Sequence, residues 1–307
     1  MFALPDVTEI VALALAEDLG VPLERFLPGA GGSADLLDRD VTSASAIGLD
    51  AHFAGHLVCR EDAVVAGLPV VAAVFDALSS AAGLFDPIEV FPLVAEGARV
   101  TAGTTVAEVS GVAAAVLAGE RTALDFLMLL SGIATETARW VADAGPDLAV
   151  CDTRKTMPGL RALSKYAVQV GGGTNHREGL FDMVLVKDNH IAAAGGVRAA
   201  VVAARAAHPD LIVEAEADTV VQAQDAVAAG AHMVLLDNMD DRQLAEAVAA
   251  VRDAARAAGR RVLTEASGGI TRDRLAALRS VGVDRVSTSA LTMNVRPVDF
   301  GLDEATV

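Results

Sequence analysis

The chain has 307 residues, 53% of them hydrophobic and only 4% aromatic, with two cysteines and a formal charge of −17. That charge excludes a general nucleic-acid binder, which needs broad positive potential to displace counterions, and two thiols, Cys59 and Cys151, exclude a disulfide framework. No segment reaches the ~18 apolar residues of a bilayer span and no basic stretch precedes an apolar run at the N-terminus, so the expectation is a cytoplasmic protein with no membrane partner.

In chain order, residues 5–20 (PDVTEIVALALAEDLG) carry apolar positions at helical spacing. They predict a first helix capped by Asp6 or Thr8 and stopped by Gly20. Residues 24–38 read as a loop, and Asp40 is placed to seat the next element. From Ala51 to about Val112, short runs such as HFAGHLVCR and ARVTAGTTVAEVSG alternate apolar with polar positions. These predict half-buried antiparallel strands, with VVAAVFDAL as an intervening helix. His52, His56 and Cys59 lack a fourth ligand at a sensible spacing, and two histidines an even number apart share a strand face in any case. A long helix is expected from Gly119, interrupted or bent near Ser131-Gly132. Arg121 would then lie in its first turn, where a cation opposes the macrodipole. Either an ion pair with Glu120 or Asp125, or a binding role, accounts for it there.

Beyond that helix the pattern becomes strand-then-helix. Apolar strands are expected at 149–152, 183–187, 211–216, 233–237, 262–267 and 285–289, separated by Ala-rich amphipathic stretches. Such alternation predicts βαβ units on a parallel sheet, and a long row of them favours a closed or nearly closed barrel. Nearly every strand ends on a polar residue: Asp152, Lys187, Glu216, Asp237, Glu265 with Ser267, and Ser287 with Ser289. The carboxyl ends of barrel strands converge on one face, where active sites are built. Between Asp152 and Ile191 the chain also gathers Arg154, Lys155, Arg161, Lys165, His176, Arg177 and Lys187 around Gly171-Gly172-Gly173. A cationic block in so acidic a chain, set among loops and strand ends, predicts a pocket for a small, multiply anionic ligand. Glu216 and Asp237 face it, either as partners of Lys187 or Arg177 or as hard oxygen ligands for Mg²⁺.

The strings ERTALDFLMLLSGIATETARW, CDTRKTMPGLRALSKYAVQVGGGTNHREGLFDMVLVKDNHI, EAEADT, LLDNM, EASGGI and GVDRVSTSALT carry a resemblance to the quinolinate phosphoribosyltransferases over nearly the full length. The resemblance implies an α/β fold of the type II phosphoribosyltransferase kind. An N-terminal α/β sandwich domain (1–118) would be followed by an incomplete parallel α/β barrel (119–293), with a tail (about 294–307) returning to the first domain. It implies a homodimer with shared active sites, higher oligomers being known in the family. The reaction it implies joins quinolinate to phosphoribosyl pyrophosphate, releasing pyrophosphate and CO₂, with Mg²⁺ as cofactor.

By the same resemblance, Arg121 (reaching from a neighbouring subunit), Arg154, His176 and Arg177 bind the dicarboxylate. Lys155 and Lys187 lie between the substrates as catalytic cations, and Glu216 and Asp237 meet the ribose hydroxyls and Mg²⁺. Ser267, Gly268 and Ser289 line the 5′-phosphate pocket, where small residues leave backbone N–H groups free for an anion. Guanidinium forks match adjacent carboxylates two bonds at a time, which is why arginines suit quinolinate. Three positions depart from the family pattern: Ser289 stands for a usual glycine, Asp125 for asparagine and Ala215 for valine. The Ser289 side chain could crowd the phosphate or bond to it. The competing readings are a nicotinate phosphoribosyltransferase that does not decarboxylate, a non-catalytic relative associated with molybdenum transport, and an aldolase-like barrel with Lys187 as Schiff-base nucleophile.

Overall fold

A computed structural model of the chain describes residues 2–48 and 50–305. Helix α1 (Thr8–Leu19) ends at Gly20, and the Thr8 N–H donates to Asp6 Oδ1 at 2.9 Å. The expected loop contains two 3-10 turns, Leu23–Phe26 and Ala34–Arg39. Asp40 then caps α2 (Val41–Ala46), accepting from the N–H groups of Thr42 and Ser43. The next elements are β1 (His52–Cys59), β2 (Ala63–Val64), α3 (Leu68–Ala82), β3 (Glu89–Pro92), β4 (Arg99–Val100) and β5 (Thr105–Val112). The first of these strands meets the end of the chain, β12 (Phe300–Glu304), in the antiparallel sheet β12-β1-β5-β3.

Strand β5 runs directly into α4 (Ala113–Ala144), a continuous helix of 32 residues, about 48 Å at 1.5 Å per residue. This corrects two expectations. The helix starts well before Gly119, because the run Ala113-Ala114-Ala115 needs no cap when the strand feeds it directly. It is also unbroken at Ser131-Gly132. Ser131 Oγ instead accepts from the Ala66 N–H at 3.0 Å, and Gly132 lets the tail pass: a Cβ there would lie 2.5 Å from the Arg296 carbonyl oxygen.

The remaining elements are β6 (Ala149–Cys151), α5 (Arg161–Val170), β7 (Val184–Val186), α6 (Asp188–Ala194), α7 (Val197–Ala207), β8 (Val213–Ala217), α8 (Val220–Ala229), β9 (Met233–Asp237), α9 (Asp241–Ala257), β10 (Leu263–Ser267), α10 (Leu275–Val281), β11 (Arg285–Ser287) and α11 (Ala290–Met293). The chain divides into two compact units. One holds residues 1–136, 157–171 and 295–307; the other holds 137–156 and 172–294. In the first, Glu96 accepts from the Gly67 and Leu68 N–H groups at the start of α3 and from the Tyr166 hydroxyl at 2.8 Å. In the second, a six-stranded parallel sheet runs β7-β8-β9-β10-β11-β6. Each strand lies beside its successor from β7 to β11, and β6 pairs with β11. This is the order of a singly wound, incomplete barrel, as the strand–helix alternation predicts. The free edge of β6 is covered by Thr174, which bridges Cys151. The single tryptophan, Trp140, is buried in this unit, and the single tyrosine, Tyr166, is buried in the other. Among the described residues no helix is long and apolar enough to cross a membrane.

Candidate active site

Strand periodicity decides what faces the barrel interior, since residues two apart share a face. Glu214 and Glu216 on β8, Met233, Leu235 and Asp237 on β9, Glu265 and Ser267 on β10, and Arg285 and Ser287 on β11 form such sets. They sort into two layers. The deeper one is a closed cluster. Glu214 and Glu265 are 0% exposed, and His176 Nε2 lies 3.0 Å from Glu214 Oε2 and 3.4 Å from Glu265 Oε1. Arg285 Nε lies 2.9 Å from Glu265 Oε2, and its Nη2 reaches Cys151 Sγ at 3.0 Å. His176 arrives from the glycine-rich segment because Asp152, buried at the end of β6, accepts its backbone N–H at 2.8 Å.

The charges of this layer perturb one another. Burial lifts the Glu214 carboxyl above its ordinary range, and the neighbouring Glu265 charge adds to that. Burial works on Glu265 in the same sense, but His176 and Arg285 outweigh it and hold that carboxyl low. For His176, burial disfavours the charge, yet the two carboxylates prevail and raise its pKa to about 9.

The outer layer opens into a pocket of about 330 Å³ lined by Arg154, Lys155, His176, Arg177, Lys187 and the floor residues Leu185 and Leu235. Among the described residues no carboxylate stands within ion-pair distance of Arg154, Lys155 or Arg177. Arg154 Nε is buried without a hydrogen-bond partner. Burial, and then the Arg154 charge, lower the Arg177 pKa. Lys155 is fixed by its backbone: Thr153 Oγ1 accepts its N–H at 2.9 Å and the Thr292 hydroxyl donates to its carbonyl at 2.7 Å. Lys187 is the paired cation here, its Nζ donating to Glu216 Oε2 at 2.6 Å.

Beside this pocket lies a smaller one of about 200 Å³, sharing Thr153, Lys155, Ser267 and Ser287 and bounded by Gly268, Gly269, Thr288 and Ser289. Gly268 has φ +83°, and a Cβ there would lie 2.1 Å from Asn238 Oδ1. Asn238 itself holds a left-handed φ of 54° and donates through Nδ2 to Asp237. Non-glycine residues in that region are uncommon and concentrate at functional sites. Ser289 sits at φ −81°, so a side chain at this position carries no backbone strain. Ligand oxygens of Glu216, the partner of Lys187, and of Asp218 and Asp237 lie within 4.8 Å of one another.

The structure thus brings Arg154, Lys155, His176, Arg177, Lys187 and Ser267 to one pocket, and Gly268 and Ser289 to its neighbour. Arg161 and Lys165 of the cationic block go elsewhere, on α5 in the other unit. Arg121 also belongs to that other unit, in the third turn of α4 rather than the first, so the macrodipole argument for it falls away. It is exposed, lies 3.4 Å from Asp125, and borders a groove with Ile10, Leu13 and Glu17 of α1. Glu214, Asp218, Asn238 and Arg285 escaped the sequence reading. The string VEAEA carried the signal for Glu214, because a residue two before Glu216 must share its face.

The profile of the quinolinate phosphoribosyl transferase N-terminal domain matches residues 40–131, and that of the C-terminal domain matches residues 133–303. The chain is 42% identical over 265 residues to the nicotinate-nucleotide pyrophosphorylase (carboxylating) of Mycobacterium leprae, covering 86% of this chain and 90% of that protein. It is 37% identical over 271 residues to the probable enzyme of the same name from Bacillus subtilis, covering 88% and 89%. The crystal structure of NadC from Streptococcus pyogenes superimposes with a TM-score of 0.83 at 33% identity, covering 98% of this chain and 97% of that one. The chain belongs to the quinolinate phosphoribosyl transferase family.

Proposed function

We propose that this protein transfers the phosphoribosyl group of phosphoribosyl pyrophosphate to quinolinate with decarboxylation, giving nicotinate mononucleotide, pyrophosphate and CO₂ for NAD biosynthesis. One observation carries the reading: Arg154, Lys155 and Arg177 line one pocket, and among the described residues no carboxylate stands within ion-pair distance of them. Cations so held have charge to give only to an anionic ligand, and two guanidiniums suit the adjacent carboxylates of a planar dianion. The glycine-bounded neighbour, at about 200 Å³, has the size and the backbone N–H groups for the 5′-phosphate.

Lys155 lies where the two pockets meet and stabilises the charge that grows on the departing pyrophosphate. Glu216, Asp218 and Asp237 form an oxygen-only set that fits Mg²⁺ and would hold it. When bound, that ion supplies positive charge beside the pyrophosphate and ribose hydroxyls. The pyridine nitrogen bonds to ribose C1 as the C1–oxygen bond breaks and its electron pair leaves with pyrophosphate. When the adjacent carbon–carboxylate bond breaks and CO₂ leaves, the electron pair stays on that ring carbon, stabilised by the cationic nitrogen beside it, and the carbon then takes a proton from water. The arginines hold the retained carboxylate throughout.

The reading includes a homodimer in which Arg121 completes the dicarboxylate site of the neighbouring subunit; its exposure on α4 leaves it available for that role. The test is incubation with quinolinate, phosphoribosyl pyrophosphate and Mg²⁺ while CO₂ release is followed, with nicotinate as the parallel substrate. Release of CO₂ with formation of nicotinate mononucleotide is expected. Turnover of nicotinate alone, or of neither, overturns the proposal.

A further inference from the structure

The turn after β9 holds the only non-glycine residue with a left-handed backbone among the described residues, Asn238 at φ 54°. Had the strand continued, neighbouring side chains would point to opposite faces, and residue 238 would face away from Asp237. The left-handed turn swings it round instead, and its amide Nδ2 donates to Asp237 Oδ2. A carboxylate can only accept, so the amide must present its NH₂ to Asp237 and its oxygen to the other side. On that other side lies Gly268, whose missing side chain makes the room: a Cβ there would overlap Asn238 Oδ1. Backbone bonds pin the turn at both ends. The Asn238 N–H donates to the Ser267 carbonyl at 3.0 Å, and Arg274 Nη2 donates to the Met239 carbonyl at 3.2 Å.

We propose that Asn238 is a positioning residue for the cation: its amide fixes the Asp237 carboxylate so that it meets Mg²⁺ in concert with Glu216 and Asp218. The terminal torsion of an aspartate is broad, and a hydrogen bond to one of its oxygens narrows it. Glu216 is held in the same way, since its Oε2 accepts from Lys187 Nζ at 2.6 Å. Each of these two carboxylates thus gives one oxygen to a protein donor and keeps the other for a ligand. Donors behind ligating carboxylates set the affinity of a metal site. Asparagine suits position 238 for a physical reason. Aspartate also tolerates a left-handed turn but would set one anion against another, and glycine tolerates it but has no donor. The inference rests on the reading of these pockets as a phosphoribosyl pyrophosphate site, and not on the choice of quinolinate as acceptor.

Asn238→Gly is the informative variant, because glycine keeps the left-handed turn without strain and only the amide is lost. Its urea unfolding midpoint should stay level with that of the parent protein. With phosphoribosyl pyrophosphate present and Mn²⁺ in place of Mg²⁺, electron paramagnetic resonance of the full chain should find Mn²⁺ bound about tenfold more weakly in the variant. A crystal structure of the variant should show the Asp237 carboxylate rotated, or in two positions, over an unchanged backbone. Mn²⁺ binding equal to that of the parent, or a carboxylate that keeps its place, overturns the proposal, as does a parent protein that takes up no Mn²⁺. A loss that comes with a displaced backbone at 237–239 marks a structural role and overturns it too. If Mn²⁺ binding behaves as expected but quinolinate yields no CO₂, the proposed function fails and the inference stands.

Discussion

Two layers of one barrel treat charge in opposite ways. In the deep layer, Glu214, Glu265, His176 and Arg285 each face a partner of opposite sign, and the carboxylates are wholly buried. In the outer layer Arg154, Lys155 and Arg177 share a pocket, and among the described residues none of them has a carboxylate within ion-pair distance. Neutralised buried charge makes a framework that resists rearrangement, whereas unneutralised charge facing a cavity is binding energy held in reserve for a ligand. The difference predicts that substitutions in the deep layer damage folding, and substitutions in the outer layer damage binding alone.

The sharpest way to break that comparison is Arg285→Met. It leaves Glu265 and Glu214 sharing one histidine, and breaking a buried pair from one side costs about 3–5 kcal/mol. Urea unfolding should show that loss in full; a smaller loss would mean the deep layer is not held by charge balance. Next is Arg154→Ala, expected to raise the quinolinate Kd about 100-fold, as for two charge-assisted hydrogen bonds. Its unfolding midpoint should stay level or rise, since a repulsion with Arg177 is relieved. Calorimetry alongside a melt separates the two outcomes.

Two smaller effects in the other unit serve as controls. Gly132→Ala places a Cβ 2.5 Å from the Arg296 carbonyl oxygen, and displacing the tail there should cost about 1–2 kcal/mol. Asp40→Ala removes the cap of α2 and should cost about 1 kcal/mol. Urea unfolding measures both, and calorimetry should find quinolinate binding unchanged in each.

Much of the fold and of the pocket is legible in the sequence, for reasons that can be named. The barrel strands declare themselves as short apolar runs between amphipathic helices, and their polar last residues point to one face. Asp40 reads as a cap because its side chain can reach two successive backbone N–H groups, and it does. The start of α4 is not legible, since a strand that passes straight into a helix leaves no turn or capping residue to mark the boundary. Linear nearness also misleads. Arg161 and Lys165 stand within a few residues of Lys155, but α5 carries them into the other unit. The deep layer is the hardest to foresee: Glu265 and Arg285 lie 20 positions apart in sequence and become neighbours only through strand register.

The scarcity of aromatic rings gives the protein a built-in pair of reporters. Its one tryptophan, Trp140, is buried in the unit that holds the pocket, and its one tyrosine, Tyr166, is bonded to Glu96 in the other. Indole fluorescence and phenol absorbance therefore follow separate halves of the chain without any added label. Denaturation curves from the two chromophores will superimpose if the halves melt as one cooperative block, and will separate if one outlasts the other.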